Sequence, residues 1–251
     1  MIAAFVRGIG SLIVGLALAL VIVAASIAPF LNPLWVGFEQ DRSQATAWTR
    51  FTTEELRSAT DAILADLVVG PPTFDVVVAG QPVLNERERS HMTDVRAVFS
   101  AFALVAVVAL VVVIAAWRIG RRRAPDAFWR GVRFGVAVLA VGVVAVGGVG
   151  LLAFEAAFEV FHRLFFAGGT YTFDPQSDRL VQLFPERFWL ETSLAVGVVI
   201  LVVCAVLWLV AGRRLGATAL RENRVSETVE SPGPAGPAGP AETAGPAEIA
   251  G

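Results

Sequence analysis

The sequence predicts an α-helical membrane protein in which four transmembrane helices carry a small mixed α/β extracellular cap. Three observations lead there. Four segments are long and apolar enough to cross a bilayer, which takes about 20 helical residues. The 251 residues are 56% hydrophobic and 17% charged, with mean hydropathy +0.68, whereas roughly a quarter of a soluble domain is charged. The basic residues, all arginine, crowd two of the segments that flank the spans. The formal net charge of −2 leaves no global basic field, which argues against nucleic acid as a partner. One cysteine excludes an intrachain disulfide framework, and two histidines exclude a metal site built from several.

Residues 1–31 hold the N-terminus and the first span. Arg7 and the small residues near Ser26 resemble a signal peptide, but the apolar run is too long for one. Pro29 also follows the best cleavage point, so an uncleaved anchor is expected. Residues 95–117 form the second span, 132–154 the third and 193–212 the fourth. The third can continue as helix to Phe166. Arg118, Arg121, Arg122, Arg123, Arg130 and Arg133 lie around the connection 118–131, and Arg213, Arg214, Arg221 and Arg224 follow the fourth span. Arginine this close to the spans marks the cytoplasmic side. Both termini are therefore expected inside, and segments 32–94 and 155–192 outside.

Segment 32–94 is too long for a simple connector. Thr52 and Glu55 have capping-box spacing, and Leu56, Ile63, Leu64 and Leu67 then share a helical face. Thr73–Val78 and Gln81–Leu84 flank Ala79-Gly80, the pattern of a short hairpin. In the second outside segment, Asp174-Pro-Gln-Ser177 signals a turn, with Tyr171–Phe173 and Arg179–Phe184 as expected strand arms. Residues 213–251 form a cytoplasmic tail, rich in Gly, Pro and Ala from about 231 and expected to be disordered there.

Chemistry narrows to the histidines. His91 precedes the second span and His162 follows the third, so alternating topology brings both to the outer interface. Asn85 and Glu88 have capping-box spacing, which puts His91 near a helix start, where the macrodipole favours neutral imidazole. His162 falls at a helix C-terminal end, which favours imidazolium. One neutral and one protonated ring suit paired base and acid roles. For a single interfacial histidine, anchoring or hydrogen bonding is the commoner use. Asp94, three residues on, is a candidate to orient the His91 ring, or else a solvated acid.

Phe154, Phe158, Phe161, Phe165, Phe166, Tyr171, Phe173, Phe184, Phe188 and Trp189 crowd the sequence around His162, with Phe161, Phe165, Phe166, Tyr171, Phe188 and Trp189 as the candidate substrate-binding residues. They fit either an interfacial aromatic belt or a cleft for acyl chains and lipid. Asp174 and Asp178 read better as a turn acid and its partner than as metal ligands, and no metal or cofactor is expected. Ser90 points about 100° away from its helical neighbour His91 and makes a poor nucleophile for it. Cys204 sits among Val and Leu and reads as buried and inert.

Asn85-Glu-Arg-Glu-Arg-Ser-His-Met-Thr-Asp-Val95 and Phe161-His-Arg-Leu-Phe-Phe166, with the stretch from Gly168 to Trp189, resemble the lipoprotein intramolecular transacylase (Lit) family. The resemblance covers residues 1–212 in topology and those two segments in detail. It implies a multi-pass enzyme of the bacterial cytoplasmic membrane with two catalytic histidines, here His91 and His162, where the cap meets the membrane. It implies a diacylated bacterial lipoprotein as substrate. The acyl chain leaves the sn-2 ester on the N-terminal cysteine and lands on that cysteine's α-amine, giving a lyso-form lipoprotein. No cofactor is implied. Without the resemblance, the residues also admit another histidine-dependent acyltransferase or lipid hydrolase, or a non-enzymatic membrane protein whose cap binds a partner.

Overall fold

The computed structural model describes residues 2–123, 125–166 and 168–230. The sequence expectation for the tail from 231 lies outside them. Four long helices form the bundle: α1 (Ile2–Ile27), α5 (Glu86–Arg123), α6 (Pro125–Leu152) and α9 (Glu186–Glu230). Each contains a stretch long and apolar enough to cross a membrane. Inside hydrocarbon the backbone polar groups must pair within the segment, which is why the apolar runs are helical. Val141 and Val146 on α6 are each 71% exposed. An apolar surface of that kind is explained by lipid around it, not by water.

α6 packs between α9 and α1, and α5 lies against α1. The contact of α1 with α6 is set by small residues. A Cβ built on Gly135 would fall 2.6 Å from the Gly15 Cα, so the two backbones approach as only glycine permits. Leu18, Ile22, Val132, Val136, Ile200 and Cys204 fill the core beside this crossing. Cys204 is buried there, as expected.

The cap is continuous with one end of the bundle. After α1, a single 3₁₀ turn (Ala28–Phe30) leads to α2 (Pro33–Arg42), capped by Asn32, whose side chain accepts from the Leu34 and Trp35 amides. The short α3 (Ala45–Thr49) follows, and then α4 (Thr53–Val68). The expected capping box is present: Thr52 Oγ1 accepts from the Glu55 amide while Glu55 accepts from the Thr52 amide. Leu56, Ile63 and Leu64 are buried on the face their spacing indicated.

The hairpin is also present, in short form. Strands β1 (Val77–Val78) and β2 (Gln81–Pro82) pair antiparallel, with Val78 opposite Gln81. Ala79 and Gly80 both have positive φ, as a two-residue type I′ turn requires. Leu56, Ile63, Phe74, Val83, Leu84, Met92 and Leu183 close one cap core. Burying each of the larger side chains contributes about 1.5–3 kcal/mol.

Two expectations are corrected. Residues Arg179–Leu183 form a helix, α8, instead of a strand arm. The run holds only five residues between Asp178 and Phe184. Leu180 and Leu183, three apart, both turn into the cap core, which helical spacing allows. The third span does not continue straight to Phe166. Ala153 leaves the helical region at φ −150°, ψ 58°, and a separate helix α7 (Phe154–Phe165) begins. Phe154, Phe158 and His162 are thereby placed on a helix separate from α6.

Candidate active site

α5 begins nine residues before the apolar run of the second span, and this first part carries five charged side chains, Glu86, Arg87, Glu88, Arg89 and Asp94. Its start is fixed by reciprocal bonds: the Glu88 amide donates to Asn85 Oδ1 at 3.0 Å, and the Asn85 amide donates to Glu88 Oε2 at 2.7 Å. This is the predicted capping box, and it locks the turn that presents His91. Its neighbour Met92 points into the cap core. His91 itself is 5% exposed.

On α7, residues 154, 158 and 162 recur at intervals of four and so share one face. Phe158 lies 4.1 Å from the His162 ring, centroid to centroid. His162 Nδ1 is 2.8 Å from the Phe158 carbonyl oxygen. A carbonyl only accepts, so Nδ1 carries the hydrogen and Nε2 is left to take or give a proton.

The two rings meet. Their centroids are 5.9 Å apart with an interplanar angle of 23°. His91 Nδ1 is buried and has no hydrogen-bond partner among the described protein atoms. The surrounding shell is aromatic. Phe166 touches both rings, at 4.9 Å from His91 and 5.4 Å from His162. Phe173 meets His91 edge-on at 5.4 Å. Phe161 and Tyr171 flank His162 at 5.5 and 5.1 Å. The Tyr171 hydroxyl donates to Glu159 at 3.2 Å. Partial burial, together with that acid, holds the phenol above its ordinary value, so it stays neutral.

The other anticipated aromatics stand farther off. Phe165 packs on Phe161 and is half exposed. Phe188 is buried with Val36 and Leu64 in a small core of its own. Trp189 reaches Phe158 at 6.3 Å and touches neither histidine. Asp94 is exposed and makes no hydrogen bond to His91. Ser90 lies on the helix surface, consistent with a residue that does not serve the neighbouring ring.

A second layer, not foreseen in the sequence beyond its capping box, ties the loop 168–184 to the start of α5. Glu88, only 1% exposed, accepts the Leu180 amide at 2.6 Å through Oε1. Asp178 is buried and receives Arg87 at 2.7 Å, Asn85 Nδ2 at 3.0 Å and the Asp174 amide at 2.7 Å. Asp174 in turn accepts the Gln176 amide, so both acids do work within a turn, as the sequence favoured. The Arg87 guanidinium also covers the Phe173 ring at 5.0 Å. A chain of contacts therefore runs from Asp178 through Arg87 and Phe173 to His91.

A family model described as lipoprotein intramolecular transacylase Lit matches residues 12–189, well over half of the chain. The chain belongs to the Lit family. It is a membrane-integral enzyme of the transacylase class, and its family acts on lipoproteins. Solved structures of Lit from Bacillus cereus share the fold. One, at 18% identity and TM-score 0.72, covers 86% of this chain and 99% of its own. Another, at 17% identity and TM-score 0.71, carries a histidine-to-arginine mutation and covers 90% and 96%. A third, with a histidine-to-alanine mutation, has 17% identity and TM-score 0.72 and covers 87% and 98%. Comparison with curated proteins by sequence gave no match.

Proposed function

We propose that this Lit-family chain moves the sn-2 acyl chain of a diacylglyceryl lipoprotein to the α-amine of the same lipoprotein's N-terminal cysteine, with His91 as general base and His162 as general acid. The observation that supports these roles best is the meeting of the chain's only two histidines, 5.9 Å apart in an aromatic shell. The α-amine titrates near 7.7–8.0 in reference peptides, so a neutral fraction is available to attack at ordinary pH.

Attack of the amine nitrogen on the sn-2 carbonyl carbon forms the C–N bond and places negative charge on the carbonyl oxygen. The nitrogen then holds a surplus proton, which His91 Nδ1 takes. Collapse breaks the bond to the glycerol oxygen, and His162 Nε2 gives that oxygen a proton. The products are an amide and a free sn-2 hydroxyl, and the proton count balances. His91 ends protonated and His162 neutral, so one proton passing between the facing rings restores the pair. Nucleophile and ester belong to one molecule, so much of the enzyme's task is to hold them in register. Such positioning contributes about 7–11 kcal/mol in favourable cases.

The histidine end of the bundle is assigned to the outer face of the cytoplasmic membrane. Arg118, Arg130, Arg133, Arg213 and Arg214 belong to the other end of the spans, which supports this orientation. Acyl chains then lie along the bundle while the cysteine amine and glycerol reach the rings.

The test uses purified protein, a diacylated lipopeptide with an isotopically heavy sn-2 chain, and excess light phospholipid. The expected product carries the heavy chain on nitrogen and a vacant sn-2 position by mass spectrometry. Light chains on nitrogen, with the heavy ester intact, would instead identify a phospholipid-dependent N-acyltransferase.

A further inference from the structure

One open groove is not used by the proton transfers. It has a volume of about 680 Å³ and is lined by Asn85, Glu86, Arg87, Ser90 and Thr170. Its position is set by α5. Arg87 is four residues before His91, or about 6 Å along the helix, and Asn85 is six residues before it, or about 9 Å. Both lie on the side away from the apolar run of the span. Arg87 also links the groove to the site, since it covers Phe173, and Phe173 meets the His91 ring.

The transacylation reading supplies what must lie there. The reacting amine is the N-terminus of a protein. The same cysteine therefore continues into peptide, and that peptide has to leave the histidines by a route the acyl chains do not occupy. We infer that this groove binds the first peptide residues after the lipidated cysteine, mainly through their main chain; this rests on the transacylase reading. An extended peptide advances about 3.3 Å per residue. Spans of 6–9 Å from His91 are then reached by the second to fourth residues of the substrate.

The lining decides what is recognised. The Glu86 carboxylate and the Ser90 hydroxyl are exposed and carry no hydrogen bond to other described residues. Both can accept main-chain N–H groups. Among the described residues no large apolar side chain lines the groove, so they offer no socket for a particular bulky residue. The expected specificity is tolerance of varied sequences with small or polar residues, and discrimination against proline, which has no N–H to donate.

The experiment compares three diacylated substrates in the same mixed micelles with the full-length protein: the lipidated cysteine as its amide, the same cysteine followed by four residues, and that peptide with proline at its second and third positions. Two or three net hydrogen bonds correspond to a kcat/KM about tenfold higher for the long peptide than for the amide. The proline peptide should resemble the amide. Glu86→Trp and Ser90→Trp fill the groove from two places, and each should reduce the long-to-short ratio towards one. Glu86 is the more remote from His91, so it guards against a direct disturbance of that ring by Ser90→Trp. Equal conversion of amide and peptide by the wild type, or a tenfold ratio that survives both variants, would overturn the groove assignment and leave the transacylase reading standing. Absence of lyso-form product from every substrate would overturn both.

Discussion

Glu88 gives the most demanding test of how the site is held. Its two carboxylate oxygens each accept one main-chain amide, from Leu180 at 2.6 Å and from Asn85 at 2.7 Å. Glutamine has the same shape but only one acceptor oxygen. In Glu88→Gln one amide keeps a partner, while the other faces an NH₂ group that also donates. Losing a charge-assisted bond costs about 1.5–3 kcal/mol. Taking about 2 kcal/mol, the segment 174–184 should open about 30-fold more often. This is local opening, because the spans do not depend on the contact. Hydrogen–deuterium exchange of detergent-solubilised protein measures it directly. Peptides covering 178–184 should exchange about 30-fold faster in Glu88→Gln, and those from α6 and α9 should not change. Lyso-form yield should fall as well, since Tyr171 and Phe173 lie on the same loop as Leu180. Unchanged protection at Leu180 would refute the reasoning, because it would mean that the Glu88 bonds do not hold the loop.

Other perturbations separate the bundle, the topology and the chemistry. Gly135→Leu should force α1 from α6, since even a Cβ there falls 2.6 Å from the Gly15 backbone; thermal unfolding should shift down by several degrees, whereas Gly142→Leu, with open space beside it, should not. In a Cys204→Ala background, Asp61→Cys should react with an impermeant maleimide on intact cells, and Arg130→Cys only after permeabilisation. Labelling at 130 from outside would reverse the proposed orientation. Chelation by EDTA should leave turnover unchanged, because among the described residues no three metal-ligating side chains converge; loss of activity restored by added metal would contradict that.

The sequence made the bundle legible because lipid imposes a single rule, uninterrupted apolar helix, and all four runs obey it. Thr52-Glu55, Asn85-Glu88 and Ala79-Gly80 were legible for a related reason: capping and tight turns are decided by residues close in the chain. The histidine pair followed from topology, since helices that alternate direction bring the start of one and the end of another to a common level. Long-range packing was not legible in the same way. Arg179–Leu183 follows the turn signal at 174–177, which suggests a hairpin arm, yet Leu180 and Leu183 must both face the core, and only the folded cap reveals that. Ala153 carries no breaker signal, so the start of α7 was hidden. Phe188 and Trp189 are close to the cleft residues in sequence, but the turn of α9 directs Phe188 towards Val36 and Leu64 instead. Phe158 and Phe173, members of the aromatic cluster around His162, bear directly on the rings, and the spacing of Phe158 four residues before His162 is the signal that sets it apart.

The central claim is that the two facing imidazoles carry the proton transfers of an intramolecular acyl shift. The most direct measurement is single-turnover conversion of a diacylated lipopeptide by His91→Ala and His162→Ala, each shown to be folded by its unfolding curve, with the N-terminal product identified by mass spectrometry. Loss of a general acid or base removes about 10²–10⁴-fold of rate. Each variant should therefore make lyso-form product at least about a hundredfold more slowly than wild type while still binding the lipopeptide. Near-normal turnover by either folded variant would contradict the account, because that ring would then have no part in moving the proton.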